Sequence, residues 1–363
     1  MKRNPPDLIL LAVTLVLLTL GVIIVSSASA PEALRLTEGA NVFHFGLRQL
    51  LFAIVGVALM FLLMKLPYQY LKKFSIWLGL SSIFLLVLVL FVAKSVKGAH
   101  RWLDLGFTNF QPSEYAKLSV ILILAHYLAA IKREINNFVL GIGMPIVFVA
   151  MISLLILLEP DLGTTLVIFF TMMVMLYVAG ARMPHLVGVG LSGVVAVALL
   201  VMMKSYRAQR LVAFLDPWKD RQGDGWQIIQ SLYALGSGGP FGMGLGMGRQ
   251  KFNYLPEAHT DYIFSIFGEE LGLIGTIAVI TLFFLIAWRG FKIAITVKDN
   301  YGRILAGGLT VSIVFQALLN IAVVTSTVPV TGITLPFLSY GGSSLLICLA
   351  SVGILLNISK NAT

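Results

Sequence analysis

Asp261 stands where a glycine-rich, basic stretch runs into an apolar one: Leu255-Pro256-Glu257-Ala258-His259-Thr260-Asp261, then Tyr262-Ile263-Phe264. An acid at the border of an apolar helix is costly unless it is paired or used. Desolvation would raise its pKa and nearby cations would lower it, and a general base needs a balance of the two. Arg207 and Arg210 lie three apart, so on a helix they would share a face, and Arg249 and Lys251 follow the glycines. Such cations suit a phosphate. The plainer alternative for Asp261 is a carboxylate at a helix start, on the positive end of the dipole.

Other constellations carry two readings each. Gln111-Pro112-Ser113-Glu114-Tyr115-Ala116-Lys117 has helix-start chemistry, and Glu114 and Lys117 can form a structural pair. Substrate contact by Glu114 and Lys117 is the alternative. Glu159-Pro160-Asp161 sits in a tight turn between two apolar runs, and its two acids could take a divalent cation such as Mg²⁺ or Mn²⁺. Glu269 and Glu270 lie inside the run that follows Asp261, where acids are usually paired. Between Gly236 and Gly248 about half the residues are glycine. No strand–helix unit surrounds them, so a dinucleotide site is excluded and a closely packing connector is expected. From Pro329 to Ser344, two prolines and paired glycines predict irregular backbone that is buried or lines a cavity. Ser339, Tyr340 and Ser343 in that segment are candidate substrate contacts, as is Arg101 beside Trp102.

The elements that must hold these residues are membrane helices. Apolar residues make up 58% of the 363 and charged residues only 12%, which no ordinary soluble domain of this length shows. Apolar runs long enough to cross a bilayer recur at 8–25, 50–64, 76–92, 118–130, 138–158, 164–178, 186–203, 263–288, 305–324 and 335–356. The expected fold is therefore all-α: one polytopic domain over 1–363 with about ten spans and a large loop, 204–261, between the seventh and eighth. Within that loop, 227–235 reads as a short amphipathic helix. One cysteine, Cys348, excludes an intramolecular disulfide and any multi-cysteine metal site, and the five histidines have no ligand spacing. Lys2, Arg3 and the small residues at 27–30 imitate a signal peptide, but the apolar run is long and more spans follow, so a retained first helix is expected.

An even number of spans puts both termini on one side. With the termini in the cytoplasm, the inner loops hold Lys65, Lys72, Lys73, Lys132, Arg133, Arg182, Arg289, Lys292, Lys298 and Arg303, while the short outer loops hold fewer cations. That satisfies the positive-inside rule, and long loops such as 204–261 cross largely regardless of charge.

Four extended motifs in order resemble the SEDS family of FtsW, RodA and SpoVE proteins. They are Gly98 to Lys117 (Gly-Ala-x-Arg-Trp, then Gln-Pro-Ser-Glu-x-x-Lys), Glu159 to Thr164, Gln250 to Gly275, and Pro329 to Ser344. The resemblance covers nearly the whole chain, and Thr334 before Leu335-Pro336 is similar to the division and sporulation branch, FtsW and SpoVE. It implies a bacterial cytoplasmic-membrane glycosyltransferase that polymerises lipid II into glycan strands at the outer face. It also implies Asp261 as the essential loop aspartate, undecaprenyl-linked glycan as co-substrate and a class B penicillin-binding transpeptidase as partner. No nucleic-acid partner is expected. The rival readings are a lipid II flippase, for which intramembrane Glu269 and Glu270 speak, and a non-catalytic scaffold.

Overall fold

The computed structural model describes residues 5–93, 101–106, 108–202, 205–223 and 225–362, the side chains of 205–208 excepted. Lys97, Gly98 and Lys204 lie outside the described residues. The fold is all-α apart from a two-residue antiparallel pair, β1 (Leu103–Asp104) with β2 (Asn109–Phe110).

In chain order the first helices are α1 (Leu8–Ala28), α2 (Ala30–Leu36), α3 (His44–Lys65), α4 (Tyr68–Val92) and α5 (Pro112–Ala130). A π-helical turn, Phe138–Gly143, runs directly into α6 (Met144–Leu158); α7 (Leu162–Ala179) and α8 (Met183–Met202) follow. Next come α9 (Ser205–Leu215), a 3₁₀ turn at Pro217–Asp220 and α10 (Trp226–Ser237). The chain closes with α11 (Ile263–Thr296), α12 (Asn300–Val324) and α13 (Gly342–Ser359). Among the described residues nine helical stretches are long and apolar enough to cross a membrane. They are α1, α3, α4, the Phe138–Leu158 stretch, α7, α8, α11, α12 and α13. This is a multi-pass membrane protein. Its outward side chains agree: Phe91, Trp77 and Val194 stand exposed on the helix surfaces, a cost in water but not in lipid.

α12 and α13 form the interior. α12 packs against α11, α7 and α5, and α13 lies along α3. The α3–α13 approach is close because glycine faces it from both sides: a Cβ on Gly353 would lie 2.5 Å from the Met60 carbonyl oxygen, and one on Gly56 2.4 Å from Leu349 Cδ1. Where no solvent drives helices together, such small-residue seams give the dispersion contact that does.

One end of the bundle gathers both ends of the chain. The Asp7 side chain caps α1 by accepting from Leu10 N–H and forms an ion pair with Arg289 at 2.6 Å, while Asp7 N–H donates to Ser359 Oγ. Lys360 and the Asn357 side chain donate to the Met64 carbonyl there.

Two expectations need correcting. The apolar run 335–356 begins a helix only at Gly342. Leu335–Gly341 is irregular, with Phe337 at φ 66°, because Pro336 and the paired glycines oppose a regular start. The run 263–288 is also not one regular helix: α11 is interrupted at Gly272 (φ 67°, ψ −166°) before continuing to Thr296.

Candidate active site

The end of the bundle opposite Asp7 and Ser359 is assembled from three irregular segments: the turn before α11, the turn between α6 and α7, and residues 329–341 before α13. Asp261 lies in the first, half-buried, two residues before α11. Its backbone is fixed from α12, since Asn320 Nδ2 donates to the Asp261 carbonyl at 2.8 Å and to the Ile333 carbonyl at 2.7 Å. Ser339 tightens the same junction, donating to the Thr260 carbonyl at 2.6 Å and accepting from Leu335 N–H. Tyr340 N–H donates to the His259 carbonyl. No hydrogen bond reaches the Asp261 carboxylate from the described residues, and Gly332 lies beside it: a Cβ there would stand in van der Waals contact, 3.6 Å from Oδ2.

Burial raises the Asp261 pKa from the ordinary carboxylate value to about 7, and the charges of Glu257 and Asp161 push the same way. Arg101 and Arg210 oppose them. That opposition of desolvation and cations is what a base working near neutrality requires. Arg210 also reaches the Val330 carbonyl, at 3.4 Å. Arg101 donates to the carbonyls of Glu159 and Pro160, so it braces the α6–α7 turn while its charge still reaches the site.

In that turn Asp161 is the N-cap of α7, both its oxygens taken by the Thr164 N–H and hydroxyl. Glu159 is fully buried with neither oxygen hydrogen-bonded, and burial, then Asp161, lifts its pKa to about 9. Among the described residues no group of three histidine, cysteine or acidic side chains could hold a metal ion. A capped aspartate and a carboxyl held protonated are also a poor donor set for Mg²⁺ or Mn²⁺, so the Glu159–Asp161 pair does not fit the cation considered for it.

The other candidates separate from this centre. Lys117 is buried against Glu114 (2.9 Å) and Gln316 (2.5 Å), and Gln316 Nε2 donates to the Thr334 carbonyl. Lys117 therefore supports the 329–341 segment from below. Lys251 is locked to Glu270 at 2.7 Å, with both side chains almost wholly enclosed. A buried, paired ammonium is spent, which argues against substrate contact. Ser343 Oγ accepts from Gln111 N–H and donates to the Asn109 carbonyl, tying α13 to β2. Arg249 is exposed, its N–H held by Glu269. α9 carries Arg207 and Arg210 within one helical segment, as their spacing predicts, but the Arg207 side chain is outside the described atoms.

Asn320 and Gln316 were missed by the sequence reading. Two amides four apart in an apolar span were the visible signal, since such groups face the interior and bond across helices. Glu257 was also missed as a charge acting on Asp261.

The glycine-rich connector is packed against the break in α11. Met243 and Gly244 N–H donate to the carbonyls of Glu269 and Glu270, and Leu273 and Ile274 N–H donate to those of Gly239 and Pro240. The Glu269 carboxylate takes Arg249 and Gln250 N–H; that of Glu270 takes Lys251, Ser27 and Gly246 N–H. Both acids are therefore structural, as their depth predicts.

Comparison with known proteins agrees with this architecture. The family model for FtsW, RodA and SpoVE, described as cell cycle proteins, matches residues 7–363. The chain belongs to the FtsW/RodA/SpoVE family. It is 47% identical over 361 residues to stage V sporulation protein E of Bacillus subtilis (strain 168), covering 99% of this chain and 98% of that one. It is 42% identical to the probable peptidoglycan glycosyltransferase FtsW of Geobacter sp. (strain M18), covering 97% and 96%. A chain in the solved structure of a peptidoglycan synthase complex coordinating polymerization and crosslinking superposes with TM-score 0.79 at 32% identity, covering 98% of each. The crystal structure of Thermus thermophilus rod shape determining protein RodA gives 0.74 at 30% identity, covering 98% of this chain and 97% of that one. The FtsW/RodA/SpoVE fold thus extends over the full set of helices described above.

Proposed function

We propose that this chain is a peptidoglycan glycosyltransferase that polymerises lipid II at the outer face of the bacterial cytoplasmic membrane. Asp261 accepts the proton of the acceptor sugar hydroxyl. The hydroxyl oxygen attacks the anomeric carbon of the growing strand with inversion, the bond to the diphosphate oxygen breaks, and undecaprenyl diphosphate leaves with the electron pair. Arg210, with Arg207 on the same helix, and the field of Arg101 stabilise the charge that develops on the diphosphate. The observation that carries this reading is one carboxylate, free of hydrogen bonds from the described residues, next to Gly332 and within the field of two arginines.

The geometry also supports ten crossings with both termini in the cytoplasm. Asp7, at the start of α1, touches Ser359, at the end of α13, which supports an even number of crossings. Nine stretches qualify by apolarity, and α5, 19 residues long and packed among α4, α7 and α12, completes the set. The end that holds Asp7 also collects Arg289, Lys292, Lys298, Lys65 and Lys72, as a cytoplasmic face should. A class B penicillin-binding transpeptidase is the partner that a polymerase of this kind requires for crosslinking, and the synthase complex that this fold resembles points the same way.

The flippase alternative loses its main support, because Glu269 and Glu270 are occupied by backbone N–H groups and Lys251 rather than facing a path. Purified protein incubated with lipid II, with and without the transpeptidase, tests the proposal. Glycan strands from wild type that vanish in a folded Asp261→Asn variant are expected. No product from wild type in either condition would overturn it, and a liposome translocation assay reads the alternative directly.

A further inference from the structure

Residues 241–248 alternate with period two: Phe241, Met243, Leu245 and Met247 are each followed by a glycine. The segment is a run of turns, with Gly242, Gly244 and Gly246 at positive φ and Met247 N–H donating to the Gly244 carbonyl. Its two end glycines lie against α11, while Gly244 and Gly246 are exposed. A Cβ on Gly242 would stand 2.2 Å from the Glu270 carbonyl oxygen, and one on Gly248 2.8 Å from Glu269 Oε2. The apolar side chains between them are bare, with Phe241 80%, Met243 38%, Leu245 55% and Met247 69% exposed. From Gly236 to Gly248 there is no charged residue, and exposed Arg249 comes next.

The depth of this segment can be counted along α11. Arg289 is held by Asp7 at the far end of the bundle. A helix needs about 20 residues to cross a hydrocarbon core, and counting back from Arg289 reaches the Glu270 region. The segment hydrogen-bonds to the backbone from Glu269 to Ile274, at that level, beside the exposed side chains of Leu273, Ile274 and Ile277. Non-helical backbone is tolerated at such depth only where its polar groups are met by protein. The N–H and C=O groups on both sides of the Gly272 break are met by the segment itself.

We propose that Phe241–Met247 is a lipid-embedded segment, inserting its odd-numbered side chains among the acyl chains of the leaflet in which α11 begins, while the backbone from Gly239 to Gly244 closes the break at Gly272. The bare apolar row is then a lipid contact rather than part of an aqueous loop, and Arg249 marks the headgroup level.

In a Cys348→Ala background, single variants Phe241→Cys and Met247→Cys would carry an environment-sensitive fluorophore in phosphatidylcholine vesicles. Ile277→Cys on α11 and Glu38→Cys in an exposed turn serve as references. The expected result is quenching by bromine-labelled acyl chains within about twofold of Ile277→Cys, and weak quenching by iodide. Iodide quenching equal to that of Glu38→Cys would overturn the proposal. Resistance to both quenchers would overturn it too, since another protein surface would then cover the row.

Discussion

The Asn320 side-chain amide donates to the main-chain carbonyl of Asp261 at 2.8 Å and, at 2.7 Å, to that of Ile333. One residue of α12 therefore fixes the distance between the candidate base and the irregular segment that faces it. One turn earlier Gln316 performs the same task for Thr334, backed by Lys117. Asn320→Ala leaves two carbonyls short of a donor, at about 1–3 kcal/mol for each buried group left unsatisfied. It should lower kcat for strand synthesis by about tenfold or more with little change in KM, because misplacement by an ångström is enough to do so. Rate measurements alongside a thermal melt check this; a wild-type kcat would remove Asn320 from the positioning role.

The pH profile should carry the signature of Asp261. As a base it must be ionised, so activity should rise through about pH 7 and level off above it. Burial is the larger cause of the raised pKa and Glu257 the next, so Glu257→Gln should move the midpoint to lower pH. Stability runs the other way. A carboxyl whose folded pKa lies above its unfolded value contributes fully below about pH 4 and loses that contribution as pH rises through about 7. Melting temperatures from pH 4 to 8 should show this decline, flattened in Asp261→Asn.

Lys251 should behave as a structural residue. Lys251→Met strands the buried Glu270 carboxylate, a loss of about 3–5 kcal/mol for breaking such a pair. The double variant with Glu270→Gln should regain part of it. Thermal melts of the three proteins decide the matter: a wild-type midpoint with a raised KM for lipid II would instead return Lys251 to substrate binding.

Two glycines in neighbouring positions should respond oppositely to alanine. Gly242 has φ +82° and no room for a Cβ, so Gly242→Ala must push the segment off α11 and lower the melting temperature. Gly236 lies in α10 with nothing within 4 Å of an added Cβ, and Gly236→Ala should stabilise by about 0.5–1 kcal/mol. Melts of both variants in one detergent give the comparison.

Much of this was legible in the sequence because lipid leaves few options. An apolar run of sufficient length becomes a helix, and the Phe138–Leu158 stretch appears at the predicted limits. Acids inside a run find partners, as Glu114 and Glu270 do. The pairing of Lys251 was not legible because its partner lies 19 positions away and only the fold joins them. The break at Gly272 was invisible for a similar reason: a glycine in an apolar helix ordinarily signals close packing, and only the returning segment supplies the donors and acceptors that let the helix open. Ser339 and Ser343 resembled open hydroxyls, yet each is consumed by main-chain groups of a distant segment.

The hydrogen bond from Asp7 to Ser359 has a practical corollary. A short peptide linker would bridge those two positions without crossing the bundle, so the polypeptide could be circularised and reopened in an exposed turn. Ala179–Met183, where Gly180 ends α7 in a left-handed turn, is one such place. A permuted chain cut there would keep each helix whole while changing which helix leads into the membrane, separating the order of insertion from the final packing.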